Sequence, residues 1–245
     1  MHKIAFLTDI HANLPALECV LDKIHENAVD EIIIGGDCIG IGPYPAETLS
    51  RIMTLQNCSF INGNHEIVSI IGPNEIAKDI IGEEGYFEHA NWCTNQLDST
   101  MIEYLKSKPL NLMKEIEGVL CHFLHYPFDQ NAGNSEYTFI HVERDEKKLI
   151  DAFSKFSGNL ICYGHDHPGN LIVDTRTYLN PGSLGCFNKP IARFAVIEIH
   201  QGDFTHKNYA IQYDDTDLFN KFEERNVPDR EFIYKAFFGS RFEIK

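Results

Sequence analysis

The sequence lacks any apolar stretch long enough to cross a bilayer, and no charged leader or signal region precedes the first strand-like run. A transmembrane helix needs about 20 apolar residues, so no membrane association is expected and the cytoplasm is the expected location. Basic residues are scarce: 21 Lys and Arg against 36 Asp and Glu give a net charge of −15. Such an acidic surface repels phosphate backbones, so stable nucleic-acid binding is not expected either.

A C-x-x-C motif is also missing, although the chain contains seven cysteines. They are Cys19, Cys38, Cys58, Cys93, Cys121, Cys162 and Cys186. The odd number and the wide spacing argue against a disulfide framework, a redox centre or a thiolate zinc cluster. We interpret most of these residues as reduced, buried, small apolar side chains.

The first 65 residues alternate between strand-like and helical patterns. Residues 3–8, 31–34 and 58–61 predict buried strands, while residues 14–26 and a segment ending near Gln56 predict the intervening helices. Asn13 is the expected N-cap of the first helix. This alternation is typical of parallel strands joined by crossover helices.

The remainder of the chain changes pattern twice. Residues 72–109 are helical in pattern and predict an inserted helical cap, with Ser99 capping one of its helices. Its expected core residues are Trp92, Leu97, Ile102 and Leu105. Further strands are predicted at residues 110–116, 119–125, 159–163, 171–174, 176–179, 192–199 and 204–211, with a helix at 145–157. Two short aromatic-rich helices within residues 215–238 begin a helical tail that runs to about residue 245.

These elements predict one domain, residues 1–245, of the α/β (α+β) class. Two mixed sheets are expected to pack face to face with helices outside, as four αββα layers, with the helical cap and the C-terminal tail attached. The tail is expected to be a packed cover or a dimer surface, so a homodimer is one hypothesis.

Polar clusters follow the predicted strands at their carboxyl ends, where ligands bind in open α/β sheets. They are Asp9-Ile10-His11, Gly36-Asp37, Gly63-Asn64-His65-Glu66, His125 and Gly164-His165-Asp166-His167. Each alone is explained by a turn, a helix cap or a packed histidine. Together, so many polar groups would repel and desolvate each other unless cations compensated them. Mixed carboxylate, imidazole and amide ligands favour Mn²⁺, Fe, Zn²⁺ or Ni²⁺ over Mg²⁺ or Ca²⁺.

The order of these motifs, D-x-H, G-D, G-N-H-E, H and G-H-x-H, resembles the calcineurin-like metallophosphoesterase superfamily. Two further segments resemble its small prokaryotic phosphodiesterase branch: G-D-x-x-G-x-G-P-x-P at residues 36–45 and N-P-G-S-x-G at residues 180–185. The similarity extends over about residues 3–199.

The resemblance implies two adjacent divalent transition-metal ions, with manganese first among the expected metals. The first would be held by Asp9, His11, Asp37 and His167. The second would be held by Asp37, Asn64, His125 and His165, so that Asp37 bridges the pair. His122 and His141 are expected not to be ligands.

The resemblance also implies a mechanism in which a metal-bridging hydroxide attacks phosphorus. His65 and Asp37 would be the catalytic residues, with His65 as the general acid that protonates the leaving oxygen. Either Glu66 or Asp37 would keep His65 charged. Substrate contacts are expected from Asn64, His65 and Tyr126.

Two departures from the family pattern concern the substrate. Tyr126 follows His125 where the family often has glycine, and Phe187-Asn188 stands near the place of a Pro-Arg pair. Residues 180–183 are explained either as a tight turn beside the site or as a substrate contact. The expected substrates are phosphodiesters or small, nucleotide-like phosphorylated molecules. A dinucleoside polyphosphate hydrolase, a protein phosphatase and a non-catalytic protein-interaction scaffold are the alternatives.

Overall fold

The computed structural model describes residues 1–72, 87–128, 142 and 145–239. The strands are β1 (His2–Leu7), β2 (Glu31–Ile34), β3 (Cys58–Phe60), β4 (Asn111–Ile116), β5 (Val119–Leu124), β6 (Leu160–Cys162), β7 (Asn170–Val173), β8 (Thr177–Asn180), β9 (Ile191–His200) and β10 (Asp203–Gln212). The helices are α1 (Leu14–Glu26), α2 (Pro45–Met53), α3 (Asn64–Ile71), α4 (Phe87–Asn95), α5 (Ser99–Lys106), α6 (Glu146–Ala152), α7 (Thr216–Glu224) and α8 (Arg230–Phe238). In these described ranges, no helix has the length and apolar character needed to cross a membrane.

The strands form two five-stranded mixed sheets. The first has the order β10-β9-β1-β2-β3, in which β1, β2 and β3 are parallel and the β9–β10 hairpin pairs antiparallel to β1. The second has the order β4-β5-β6-β8-β7, in which β5, β6 and β8 are parallel. With helices packed outside, this arrangement confirms the predicted fold class.

The two faces of β1 show how the layers are held together. Ile4 and Phe6 lie in the apolar core between the two sheets, whereas Ala5 and Leu7 lie in the core beneath α1 and α2. All four are completely buried, which explains why the strand reads as a continuous apolar run rather than as an alternating one. Burying each large side chain contributes about 1.5–3 kcal/mol.

The start of α1 confirms the predicted N-cap. The Asn13 side chain accepts a hydrogen bond from the Ala16 amide at 3.1 Å, as expected of an N-cap, and Pro15 occupies the first turn. The Asn13 amide group also donates to Tyr213 Oη and to the Gly185 carbonyl, both at 2.8 Å. The cap therefore also ties α1 to the end of the molecule that carries the polar clusters.

The predicted cap of α5 was wrong by one residue. Asp98, not Ser99, is the N-cap, and its carboxylate accepts from the Met101 amide at 2.9 Å. Ser99 is the first helical residue, where its side chain cannot reach the same amide.

The expected core residues of the helical insertion are buried to different degrees. Leu105 is completely buried, Trp92 and Leu97 are half-buried against the core under the first sheet, and Ile102 is half-buried. Residues 73–86 of the predicted cap lie outside the described residues.

The C-terminal helices α7 and α8 pack as a cover over one end of the molecule. Phe219, Phe222 and Phe238 are buried in a cluster that also includes Ile41 and Cys186. Two short helices were predicted here, and the structure confirms them.

Candidate active site

The polar clusters begin where the buried strands end, and several of their residues have unusual backbone conformations. Asp9, His11, Asp37 and His165 have φ values of 53°, 51°, 52° and 66°, in the left-handed region that residues other than glycine rarely adopt. Such conformations cost on the order of 1–3 kcal/mol each and are concentrated at functional sites. The carboxyl edge of the sheets is therefore the candidate site.

Asp9, His11 and His167 form the first of two groups. The Nε2 atoms of His11 and His167 face each other at 2.9 Å, and Asp9 Oδ1 lies 3.7 Å from the former and 3.5 Å from the latter. Asp37 Oδ2 is 3.9 Å from His11 Nε2.

Asn64, His125 and His165 form the second group, again with Asp37. His125 Nε2 is 3.1 Å from Asp37 Oδ2 and 3.1 Å from Asn64 Oδ1. Asn64 Oδ1 is 3.0 Å from His165 Nδ1. The structure thus brings all seven sequence-predicted ligands together, with Asp37 placed between the two groups.

Hydrogen bonds behind the site fix the orientation of two imidazoles. His125 Nδ1 lies 2.8 Å from the Gly35 carbonyl, and His11 Nδ1 lies 3.3 Å from the Ile39 carbonyl. Because a carbonyl only accepts, each Nδ1 carries a proton, and each Nε2 faces the centre, where a bound cation would take the place of any proton on it. This is the arrangement found behind metal-binding histidines, and it shows that these residues fit a cation.

Glu66 has a structural role in the site. Its buried carboxylate accepts hydrogen bonds from the backbone amides of Asp37, Cys38, Ile39 and Gly63, at 2.7, 2.8, 3.2 and 2.8 Å respectively. It therefore joins the loop after β2 to the start of α3. Glu66 was one of two residues expected to keep His65 charged, and its engagement with the backbone removes it from that role.

Burial decides the protonation of His65. It lowers the pKa of His65 to about 4, and the nearby Asp37 carboxylate, 3.9 Å from Nε2, raises it too little to compensate. The prediction that a carboxylate keeps His65 charged is therefore wrong for the protein without bound metal or substrate. Burial likewise lowers the pKa of His165 to about 4 and that of His167 to about 3, which keeps both imidazoles neutral.

The carboxylates of the site are ionised. Burial acts to raise the pKa of Asp37, but the charge of His125 and its hydrogen bond to the carboxylate outweigh it and hold that pKa well below its usual value. Burial opposes the protonation of His125 as well, yet Asp37 raises the pKa of His125 to about 9. The centre therefore combines anionic oxygens with imidazoles, the donor set of a transition-metal site.

Tyr126 lies behind the site. The residue is 4% exposed, its ring packs on His165 with 4.5 Å between ring centroids, and its hydroxyl donates to the Val142 carbonyl at 3.3 Å. Tyr126 therefore packs against His165 and holds it in place. Its burial does not suit the predicted contact with substrate.

The segment at residues 180–183 is a buried turn. The Asn180 amide group donates to the carbonyls of Gly164 and Asp166 at 3.1 and 3.0 Å, and Ser183 Oγ donates to the Asp9 carbonyl at 2.7 Å. These bonds favour the structural alternative, a turn that holds two ligand loops together.

Arg193 was missed by sequence reasoning. Its guanidinium donates to the carbonyls of His167, Pro168 and Ser183, at 2.6, 3.1 and 3.2 Å, and stacks on the Phe187 ring at 4.1 Å. It therefore fixes the loop that carries His167. No sequence motif marks it, because it lies on β9, far along the chain from the loop that it holds.

Two further histidines were expected not to be ligands. His122 is bonded away from the site, with Nδ1 2.9 Å from the Ser157 carbonyl and Nε2 3.1 Å from Asn111 Oδ1. His141 lies outside the described residues.

Comparison with known proteins identifies the family of this chain. A family model described as the calcineurin-like phosphoesterase superfamily domain matches residues 2–202. The chain therefore belongs to the calcineurin-like phosphoesterase superfamily.

Individual relatives are similar over nearly their whole length. An uncharacterized protein of Methanocaldococcus jannaschii is 26% identical over 242 residues, which cover 92% of this chain and 94% of that protein. A metallophosphoesterase structure from Sphaerobacter thermophilus has a TM-score of 0.71 and 23% identity, covering 94% of this chain and 96% of that one. A hypothetical protein from Pyrococcus horikoshii OT3 has a TM-score of 0.77 and 19% identity, covering 98% and 99%. At these identities the two structures show a shared fold.

Proposed function

We propose that this protein is a hydrolase of phosphoric esters that depends on two divalent transition-metal ions. The observation that carries the proposal is the convergence of two donor groups on Asp37, whose Oδ2 atom lies 3.1 Å from His125 Nε2 and 3.9 Å from His11 Nε2. Membership of a phosphoesterase superfamily supports the same reaction class. The proposed substrates are phosphodiesters or small, nucleotide-like phosphorylated molecules.

The residues that would hold the metals follow from the two donor groups. The first metal position is Asp9, His11, Asp37 and His167, and the second is Asp37, Asn64, His125 and His165. Two cations bound there would polarise the phosphoryl oxygens and provide an activated water for in-line attack.

His65 is the proposed general acid. It lies at the start of α3, where its amide donates to Asp37 Oδ1 at 3.0 Å and the helix dipole favours an anion. Its side chain is 10% exposed, whereas that of the neighbouring ligand His125 is completely buried. The imidazole of His65 is neutral in the protein without bound substrate. An anionic phosphoryl group beside it would raise its pKa. His65 would then deliver its proton to the leaving oxygen.

The test is hydrolysis of bis(p-nitrophenyl) phosphate by the manganese-loaded protein. His65→Ala should lower kcat by about 10²–10⁴, the usual contribution of general acid–base catalysis, with metal content unchanged. His25→Ala, which changes an exposed histidine of α1, should retain wild-type activity. Full activity in His65→Ala, or no cleavage of any ester in a broad panel by metal-replete protein, would refute the proposal.

A further inference from the structure

Cys186 lies inside the donor cluster. Its sulfur belongs to a group with His11 and His167 in which the three ligand atoms lie within 4.8 Å of one another. The residue is 1% exposed, and no sequence motif distinguishes it from the other buried cysteines. It follows the N-P-G-S-x-G segment directly, and that segment forms the turn beside the site.

The loop that carries Cys186 is fixed to the first strand end. Ser183 Oγ donates to the Asp9 carbonyl at 2.7 Å, and the Cys186 amide donates to Ser183 Oγ at 2.8 Å. The Gly185 amide also donates to the Asp9 carbonyl, at 3.0 Å. A Cβ at Gly185 would lie 1.8 Å from the Ile10 carbonyl oxygen, so only glycine permits this close approach. The sulfur is therefore held next to Asp9 by several bonds.

The two imidazoles beside the sulfur are oriented as metal ligands would be. The Nε2 atoms of His11 and His167 converge to 2.9 Å, and the Nδ1 proton of His11 is directed at the Ile39 carbonyl. A cation bound by two imidazoles and one thiolate lies about 2.0–2.1 Å from each nitrogen and about 2.3 Å from sulfur. Donor atoms already within 4.8 Å of one another reach those distances by small side-chain movements.

We propose that Cys186 is a thiolate ligand of the first metal position and makes that position selective for thiophilic ions such as Zn²⁺ or Co²⁺ over Mn²⁺. On binding, the thiol proton passes to water and a sulfur–metal bond forms, with no change in oxidation state. The second position has only oxygen and nitrogen donors and suits Mn²⁺. The two positions would then prefer different metals. This proposal rests on the metal centre of the proposed function.

The experiment is a titration of metal-free, full-length protein with Co²⁺, followed by absorption spectroscopy. Wild-type protein should develop a thiolate-to-cobalt charge-transfer band in the near ultraviolet, and X-ray absorption of the zinc form should show sulfur at about 2.3 Å. Cys186→Ala should lose both signals and bind Zn²⁺ at least tenfold more weakly, the order of loss seen when a metal site is perturbed, while Mn²⁺ affinity is unchanged. Cys186→Ser should give the same result, which guards against a folding defect in the alanine variant.

Cys93→Ala is the matched control, because Cys93 is 2% exposed and lies on α4 outside this group. It should retain the band. Two bound cobalt ions with no charge-transfer band and no sulfur neighbour would overturn the role of Cys186 and leave the metal centre intact. Absence of any cobalt binding would overturn the proposed function as well.

Discussion

At the scale of single residues, Gly40 controls the space next to His65. A Cβ added at Gly40 would lie 2.1 Å from His65 Nδ1, and the φ of +79° at this position disfavours any side chain. Gly40→Ala should displace the proposed acid and lower kcat by about 10²-fold while both metals still bind.

Gly72→Ala is a control with similar backbone strain. Its φ is +77°, and within the described ranges no atom lies within 4 Å of the added Cβ. Steady-state kinetics and metal analysis of both variants check the prediction. Equal activity in the two variants would contradict the placement of His65.

Replacing Glu66 with the uncharged glutamine tests whether its carboxylate joins the loop after β2 to the start of α3. Glu66→Gln replaces one accepting oxygen with an NH₂ group that faces backbone amides, so two of the four amides lose their acceptor. Each buried unsatisfied group costs about 1–3 kcal/mol, so the free energy of unfolding should fall by roughly 2–6 kcal/mol. Urea denaturation measures this change.

Glu103→Gln is the exposed control for that experiment. Glu103 pairs with Lys106 on the surface of α5, where its side chain is 70% exposed. Such pairs contribute little, so its stability should stay near that of wild type. A Glu66→Gln variant as stable as wild type would show that the carboxylate does not hold the loops.

The residues of the site were predictable where the chemistry lies in local motifs. D-x-H, G-N-H and G-H-x-H each follow a strand, so their convergence follows from parallel topology. The role of Glu66 was not predictable, because it depends on amides of another loop. Nor was the pKa of His65, since spacing along the chain does not show that burial outweighs Asp37. Cys186 was grouped with the other six cysteines, because spacing along the chain does not show which of them lies beside the site.

At the scale of elements, the C-terminal helices offer a test of the packed cover. Phe238 is completely buried, with ring centroids 5.3 Å from Phe219 and 6.1 Å from Phe222. Phe238→Ala should lower the free energy of unfolding by about 3–5 kcal/mol. Phe232→Ala, on the same helix but 41% exposed, should change it by less than about 0.5 kcal/mol. Equal losses in thermal or urea denaturation would contradict the packing of α8.

The bounds of elements with strong periodicity were predicted to within one or two residues. The bounds of elements that depend on tertiary contacts were predicted less accurately. The helix expected at residues 145–157 ends as α6 at Ala152 and continues as a 3₁₀ turn, Phe153–Lys155. Phe156 then leaves the helical path, with its amide donating to the Phe153 carbonyl at 3.0 Å, and packs in the core outside the second sheet. An apolar pattern alone does not distinguish this turn from a continued helix.

At the scale of the whole molecule, metal binding and stability should be linked. Ions that bind only the folded chain stabilise it, by about 2.7 kcal/mol per site at a hundred times the dissociation constant. Removing metal with a chelator should therefore lower Tm by about 5 °C or more in a chain of this size. Asp37→Asn, which weakens a shared ligand, should show a smaller shift in differential scanning calorimetry. A Tm unaffected by chelation would contradict the linkage.

Seven side chains that are distant in sequence are expected to hold two adjacent cations. Anomalous diffraction from crystals soaked in Co²⁺ would locate those cations. Two peaks are expected about 3.5–4 Å apart, both in contact with Asp37, one beside His11 and His167 and the other beside His125 and His165. A single peak, or peaks away from these residues, would contradict this expectation.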